Sequence, residues 1–208
     1  VIWVCPIVEL VKSDFNVITE YTVEKNRDQI DEIVNMILNY YIGDADYVDV
    51  VKIARAMGFS IYSSQFREEN VEGFISINDE NIDKFKNKKI IKLNKKENMF
   101  KKRFIIAHEL GHYLFEFNDF SLESNNKFLN ASFKSTPPVE KEEIIKENRA
   151  SYFAACLLMP KDAFLKKYRE FSKNFKNYDL ILKLSTYFEV PVKSVEIRFK
   201  ELNLKIIQ

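Results

Sequence analysis

"RFIIAHELGHYLFEF", residues 103–117, holds both histidines of this 208-residue chain, His108 and His112, with Glu109 beside the first. On an α-helix, residues four apart stand about 40° apart around the axis and about 6 Å along it. Two imidazoles so spaced can aim at one ion, and Glu109 lies on the flank of the same face. This is the arrangement of metal-assisted peptide hydrolysis, in which the glutamate accepts a proton from water and later protonates the leaving amine. A chain's only two histidines fall into this pattern, with Glu after the first, roughly once in a thousand random placements. Two inert imidazoles on a partly buried helix are the weaker reading.

A metal site needs a third protein ligand. The extended pattern HExxHxxGxxH would need glycine at 115 and histidine at 118, where the chain has Phe115 and Asn118. That leaves a carboxylate or Cys156, and the downstream acids are Glu116, Asp119, Glu123, Glu140, Glu142, Glu143 and Glu147. A helix delivering a ligand must approach the histidine helix closely, which calls for small residues at the crossing. Counting from Glu147, Ala150, Ser151 and Ala154 share its face, whereas Glu142 and Glu143 have bulkier neighbours at those offsets. Gly111 shares the face of His108 and His112. Glycine costs about 1 kcal/mol against alanine inside a helix, and close backbone approach gives it a reason to be there. The expected ligands are therefore His108, His112 and Glu147, with a fourth position open for water. Such a donor set favours Zn2+, although Mn2+ or another divalent ion can occupy it.

Outward from this motif, apolar spacing predicts a helix over 28–41 and a second one capped by Asp46 and stopped by Gly58. "FSIYSS", "EGFISIND" and "KKIIKLN" read as three short antiparallel strands. The histidine helix is predicted over 98–117, and 118–137, rich in Asn and Ser, reads as a surface loop. A helix from Pro138 to Leu158 follows, then one over 163–171 capped by Asp162. Two more, at 179–188 and 194–202, are broken by Pro191. The expectation is an α+β fold: a small antiparallel three-stranded sheet packed on the histidine helix and a second ligand-bearing helix, with a helical C-terminal appendage. The expected divisions are an N-terminal extension (1–27), a metallopeptidase domain (28–160) and a helix-turn-helix-like subdomain (161–208).

Composition narrows the function classes. A hydrophobic content of 46% and eighteen phenylalanines supply a sizeable core, and a net charge of +1 exerts no global pull on nucleic acid or anionic membrane. Four glycines exclude a glycine-rich phosphate loop. Cys5 and Cys156, far apart, fit a reducing cytoplasm rather than a disulfide framework. The apolar start "VIWVCPIV" is too short to span a bilayer. Lys84, Lys86, Lys88, Lys89, Lys92, Lys95, Lys96, Lys101, Lys102 and Arg103 crowd one stretch, read as a solvated basic face or as a patch steering an acidic partner.

"RFIIAHELGHYLF" followed by "ENRASYFAACLLMP" resembles the ImmA/IrrE family of metallo-endopeptidases. Its members carry an R-F-x-x-A-H-E-x-G-H helix, then E-x-x-A-(N or D)-x-F-A and a closing L-L-x-P. Arg103, Phe104, Ala107, His108, Glu109, Gly111 and His112 match the first block. Glu147, Ala150, Phe153, Ala154, Leu157, Leu158 and Pro160 match the second. The resemblance implies a gluzincin-like site with Glu147 as third ligand. It departs at Ser151, which stands where the family usually has Asn or Asp to orient a ligand histidine through its other nitrogen.

Family members are typically bacterial or carried on phages and mobile elements, and they resemble regulators that cleave a helix-turn-helix, XRE-like repressor. The implied function is zinc-dependent cleavage of one repressor protein, with Glu109 as general base. The alternative is a non-proteolytic repressor-binding module with a structural metal. A strand such as 71–77 or 90–94 could accept an extended substrate segment by edge pairing. Lys193, Arg198 and Lys200 lie around the second tail helix, but overall charge gives direct DNA binding no support.

Overall fold

A computed structural model describes residues 23–43, 47–116, 129–134, 138 and 140–205. Asp46, the expected cap, and most of the N-terminal extension lie outside the described residues. In chain order the elements are α1 (Val23–Tyr41), α2 (Val50–Ala56), β1 (Ser60–Ser64), β2 (Val71–Ile77), α3 (Glu80–Phe85), β3 (Lys89–Asn94) and α4 (Met99–Glu116). Then come β4 (Leu129–Lys134), α5 (Lys141–Leu158), α6 (Lys161–Phe171), α7 (Asn177–Phe188) and α8 (Val192–Glu201).

The α+β class stands, but the sheet is four-stranded and mixed, in the order β1-β3-β2-β4. β1 runs parallel to β3, with Ser60 opposite Ile90, while β2 is antiparallel to both β3 and β4. The parallel pair arises because β2 takes the far side of β3, leaving its near side to β1. The expected surface loop contributes β4, whose "LNASFK" pairs with β2 despite its polar residues. Strands 71–77 and 90–94 both have neighbours on two sides, so neither offers a free edge. Among the described strands, β1 and β4 form the edges.

α4 is the axis of the fold. Asn98 starts it, its Oδ1 accepting from Lys101 N at 2.9 Å. From Ile105 to Phe115 every residue is buried, the mark of a helix covered on all sides. The sheet covers one side, at a crossing so close that a Cβ on Gly73 would collide with Ile105 Cγ2. α5 covers another. A Cβ on Gly111 would stand 3.0 Å from Ala150 Cα and 3.2 Å from Ala150 O, so the small residues on both helices permit the approach. Phe153, fully buried, meets Phe115 edge-to-face at 5.6 Å and locks the pair.

Helix starts differ in detail from expectation. Asp49 caps α2, its side chain accepting from Lys52 N, and Gly58 ends the turn at φ +89°. Pro138 precedes α5 by three residues, and α6 begins behind Pro160, placing Asp162 inside its first turn. Arg103, at the head of α4, is buried rather than part of a basic face. Its Nη2 donates to Val48 O at 3.0 Å, its Nε to Glu189 O at 3.2 Å, and its Nη1 to the Tyr47 hydroxyl. These bonds tie the segment before α2 and the end of α7 to the histidine helix. Lys89 is likewise drawn inward, its Nζ donating to the Tyr113 hydroxyl at 2.8 Å.

Candidate metal centre

α4 and α5 meet where Gly111 faces Ala150, and this contact brings three donor groups together. His108 Nε2 and His112 Nε2 lie 2.9 Å apart. The two oxygens of Glu147 reach across from α5, Oε2 to His108 Nε2 at 3.1 Å and Oε1 to His112 Nε2 at 3.2 Å. The three side chains form a cluster able to hold a metal ion.

The outer nitrogens show which atoms face inward. Ser151 Oγ lies 3.2 Å from His108 Nδ1, and Glu116 Oε1 lies 2.6 Å from His112 Nδ1. A carboxylate can only accept, so His112 donates from Nδ1 and turns Nε2, whose lone pair a cation can take in place of a proton, toward Glu147. A serine hydroxyl can accept from His108 in the same way. Two lone pairs and a carboxylate then converge on one point, which a cation satisfies. Donors about 2.1 Å from a tetrahedral ion stand about 3.4 Å apart, a few tenths of an ångström wider than found here. The residues fit a divalent ion.

Charge in the cluster is shared among closely coupled groups. Burial dominates at His108 and lowers its pKa to about 4. At His112 burial also opposes the charge, but Glu116 and Glu147 outweigh it and raise the pKa to about 10. Glu147, despite burial, is held down to about 2 by its bonds to the two imidazoles. One proton on His112 thus stands where a metal cation can take its place.

Glu109 differs from its neighbours. It is fully buried, and burial raises its pKa to about 8. Phe133 N of β4 donates to its Oε1 at 3.2 Å, while Oε2 is buried without a partner among the described residues. The Phe133 ring stands edge-on to His108, 4.5 Å between centroids.

The alternatives for the third ligand separate clearly. Glu142 and Glu143 are exposed and paired with Lys146. Cys156 is buried in another cluster, beside Asp31 and Arg198. Glu116 touches only the outer nitrogen of His112, a role signalled by its i+4 position, and Arg149 stands 3.9 Å behind it. Asp119 and Glu123 lie outside the described residues. Sequence reasoning missed Glu116 as an orienting group and Phe133 altogether.

Fold and cluster define the class, an α+β domain with an HExxH helix of metallopeptidase type. The chain belongs to the Peptidase_M78 family, described as the IrrE N-terminal-like domain, whose model matches residues 54–200. That family implies a divalent metal and a protein substrate. No relative was found among curated proteins. Among solved structures, the chain is similar to a Mycobacterium tuberculosis transcriptional regulator, with a TM-score of 0.54 and 15% identity. The match covers 93% of this chain and 51% of that one, so this chain spans about half its length. At that identity the likeness concerns the fold alone. Among the described residues, no helix is long and apolar enough to cross a membrane.

Proposed function

We propose that the chain is a zinc-dependent endopeptidase in which His108, His112 and Glu147 hold the ion and Glu109 is the general base. One observation carries this reading: a buried carboxylate oxygen, Glu109 Oε2, has no partner among the described residues and stands beside the three ligand groups. A purely structural site has no use for such a group. Bound zinc would supply Lewis-acid activation of a water. Phe133 N–H fixes Oε1, so Oε2 is the atom free to take the water's proton. The water oxygen bonds to the peptide carbonyl carbon, the C–N bond breaks, and Glu109 returns the proton to the amine nitrogen. Ser151 and Glu116 hold the imidazoles in the tautomer that presents Nε2 inward.

The substrate in this reading is a helix-turn-helix repressor, supported by the family resemblance. The outer edge of β4, beside Glu109, is the place for an extended substrate segment. Arg198, one of three tail cations considered for DNA contact, is buried and bonded to Met159 O at 3.2 Å.

The test is to incubate the zinc-loaded protein with the repressor encoded nearest its gene and follow cleavage by mass spectrometry. Wild type should give one discrete, chelator-sensitive cut, and Glu109→Gln should keep its zinc but cleave at least about 100-fold more slowly. Unchanged cleavage by that variant would remove Glu109 from the chemistry. A wild type that binds the repressor without cutting it would favour a non-proteolytic binding module.

A further inference from the structure

The geometry points to a recognition element beside the metal centre: the groove between α4 and α8 binds an acidic side chain of the substrate through Arg27. That the ligand is a peptide rests on the endopeptidase reading above; the preference for a carboxylate does not.

The groove measures about 510 Å³ and opens next to Ser151, the residue that touches His108 Nδ1. Its inner wall is aromatic. Phe104 and Phe133 line it, with ring centroids 6.5 Å and 4.5 Å from that of His108. Ile197 of α8 faces them and remains 43% exposed. This end suits a bulky apolar side chain near the reacting bond.

The other end is charged. Arg27 of α1 lies over the Tyr152 ring at 5.3 Å, which holds the guanidinium plane in place. Its Nε is buried and has no hydrogen-bond partner among the described residues. Solvent satisfies an exposed guanidinium, but a buried N–H without an acceptor is a standing cost. The one carboxylate lining the groove, Glu201, is already bonded to Arg198 Nη1 at 3.1 Å. Lys101 and Lys193 line the groove as well, but each already has an acidic partner, Glu72 at 2.9 Å and Glu196 at 3.5 Å, which leaves Arg27 as the cation with an unpartnered donor among the described lining residues. An arriving Asp or Glu gives Arg27 the acceptor it lacks, because a planar guanidinium pairs with a carboxylate in matched geometry. The ligand is a peptide with an apolar residue at the metal centre and an acidic residue a few positions away.

The test uses zinc-loaded Glu109→Gln protein, which reports binding without turnover. Fluorescence anisotropy is read with labelled hexapeptide pools that hold Phe at one position and Glu, Gln or Lys at the others in turn. The Glu pool should bind on the order of tenfold tighter than the Gln pool. Adding Arg27→Gln should abolish the preference, Arg27→Lys should retain part of it, and Arg27→Glu should turn it toward the Lys pool. Thermal melts establish that each variant is folded. Equal binding of the Glu and Gln pools, or a preference undiminished in folded Arg27→Gln, would overturn the inference. An Arg27-dependent preference in a protein whose wild type cuts nothing would sink the peptidase reading and leave this one standing.

Discussion

α5 serves two buried polar clusters, and they differ in one respect. Toward α4 it presents Glu147 and Ser151, where donor atoms crowd each other and Glu109 Oε2 has no partner among the described residues. Toward α1 and α8 it presents Tyr152 and Cys156, whose hydroxyl and thiol both donate to Asp31 Oδ1, at 3.2 Å and 3.3 Å. There Arg198 closes the set, bonding Met159 O, Cys156 Sγ and Glu201 Oε2. Burial pushes the Cys156 thiol up to about 12, which keeps it neutral and unreactive. The second cluster satisfies itself and belongs to stability. The first gathers donor groups placed so that they could hold a cation, as the proposed metal centre requires.

Substitutions should separate the two. Arg198→Met leaves Glu201 and the Met159 carbonyl without their partner inside the fold, and removing one member of a buried pair costs about 3 kcal/mol or more. Denaturant unfolding should show that loss, while zinc affinity per folded molecule stays unchanged. A variant that unfolds normally but loses zinc would join the clusters into one. Ser151→Ala should do the reverse at smaller scale. It removes only the hydroxyl on His108 Nδ1 and should weaken zinc affinity about tenfold, with little change in stability. Competition titration against a chelator of known affinity measures it, and Ser151→Asn should bind at least as tightly as wild type.

Much of the candidate metal centre is legible in the sequence because helices repeat locally. The four-residue spacing of His108 and His112 placed them on one face, and Ala150, Ser151 and Ala154 marked the face that Gly111 admits. Glu116 was equally local but read as a spare ligand, since spacing alone does not say which imidazole nitrogen a carboxylate will meet. The sheet was harder. Pairing of β1 with β3 joins residues 30 apart and leaves no periodic trace. β4 hid in a polar segment because its Asn and Ser residues are depleted in, or neutral to, strands, while β2 supplies the pairing that holds it. Missing β4 meant missing Phe133, the residue whose backbone fixes Glu109. Arg103 was counted among the lysines because charge runs look solvated until tertiary contacts bury one member.

Glu147, the proposed third ligand, is the residue on which the centre depends. Zinc content and affinity of Glu147→Ala, compared with wild type in a chelator competition, test it directly, with circular dichroism confirming the fold. The expected result is a folded protein that no longer retains stoichiometric zinc. One zinc per chain held at wild-type affinity would contradict the centre described here.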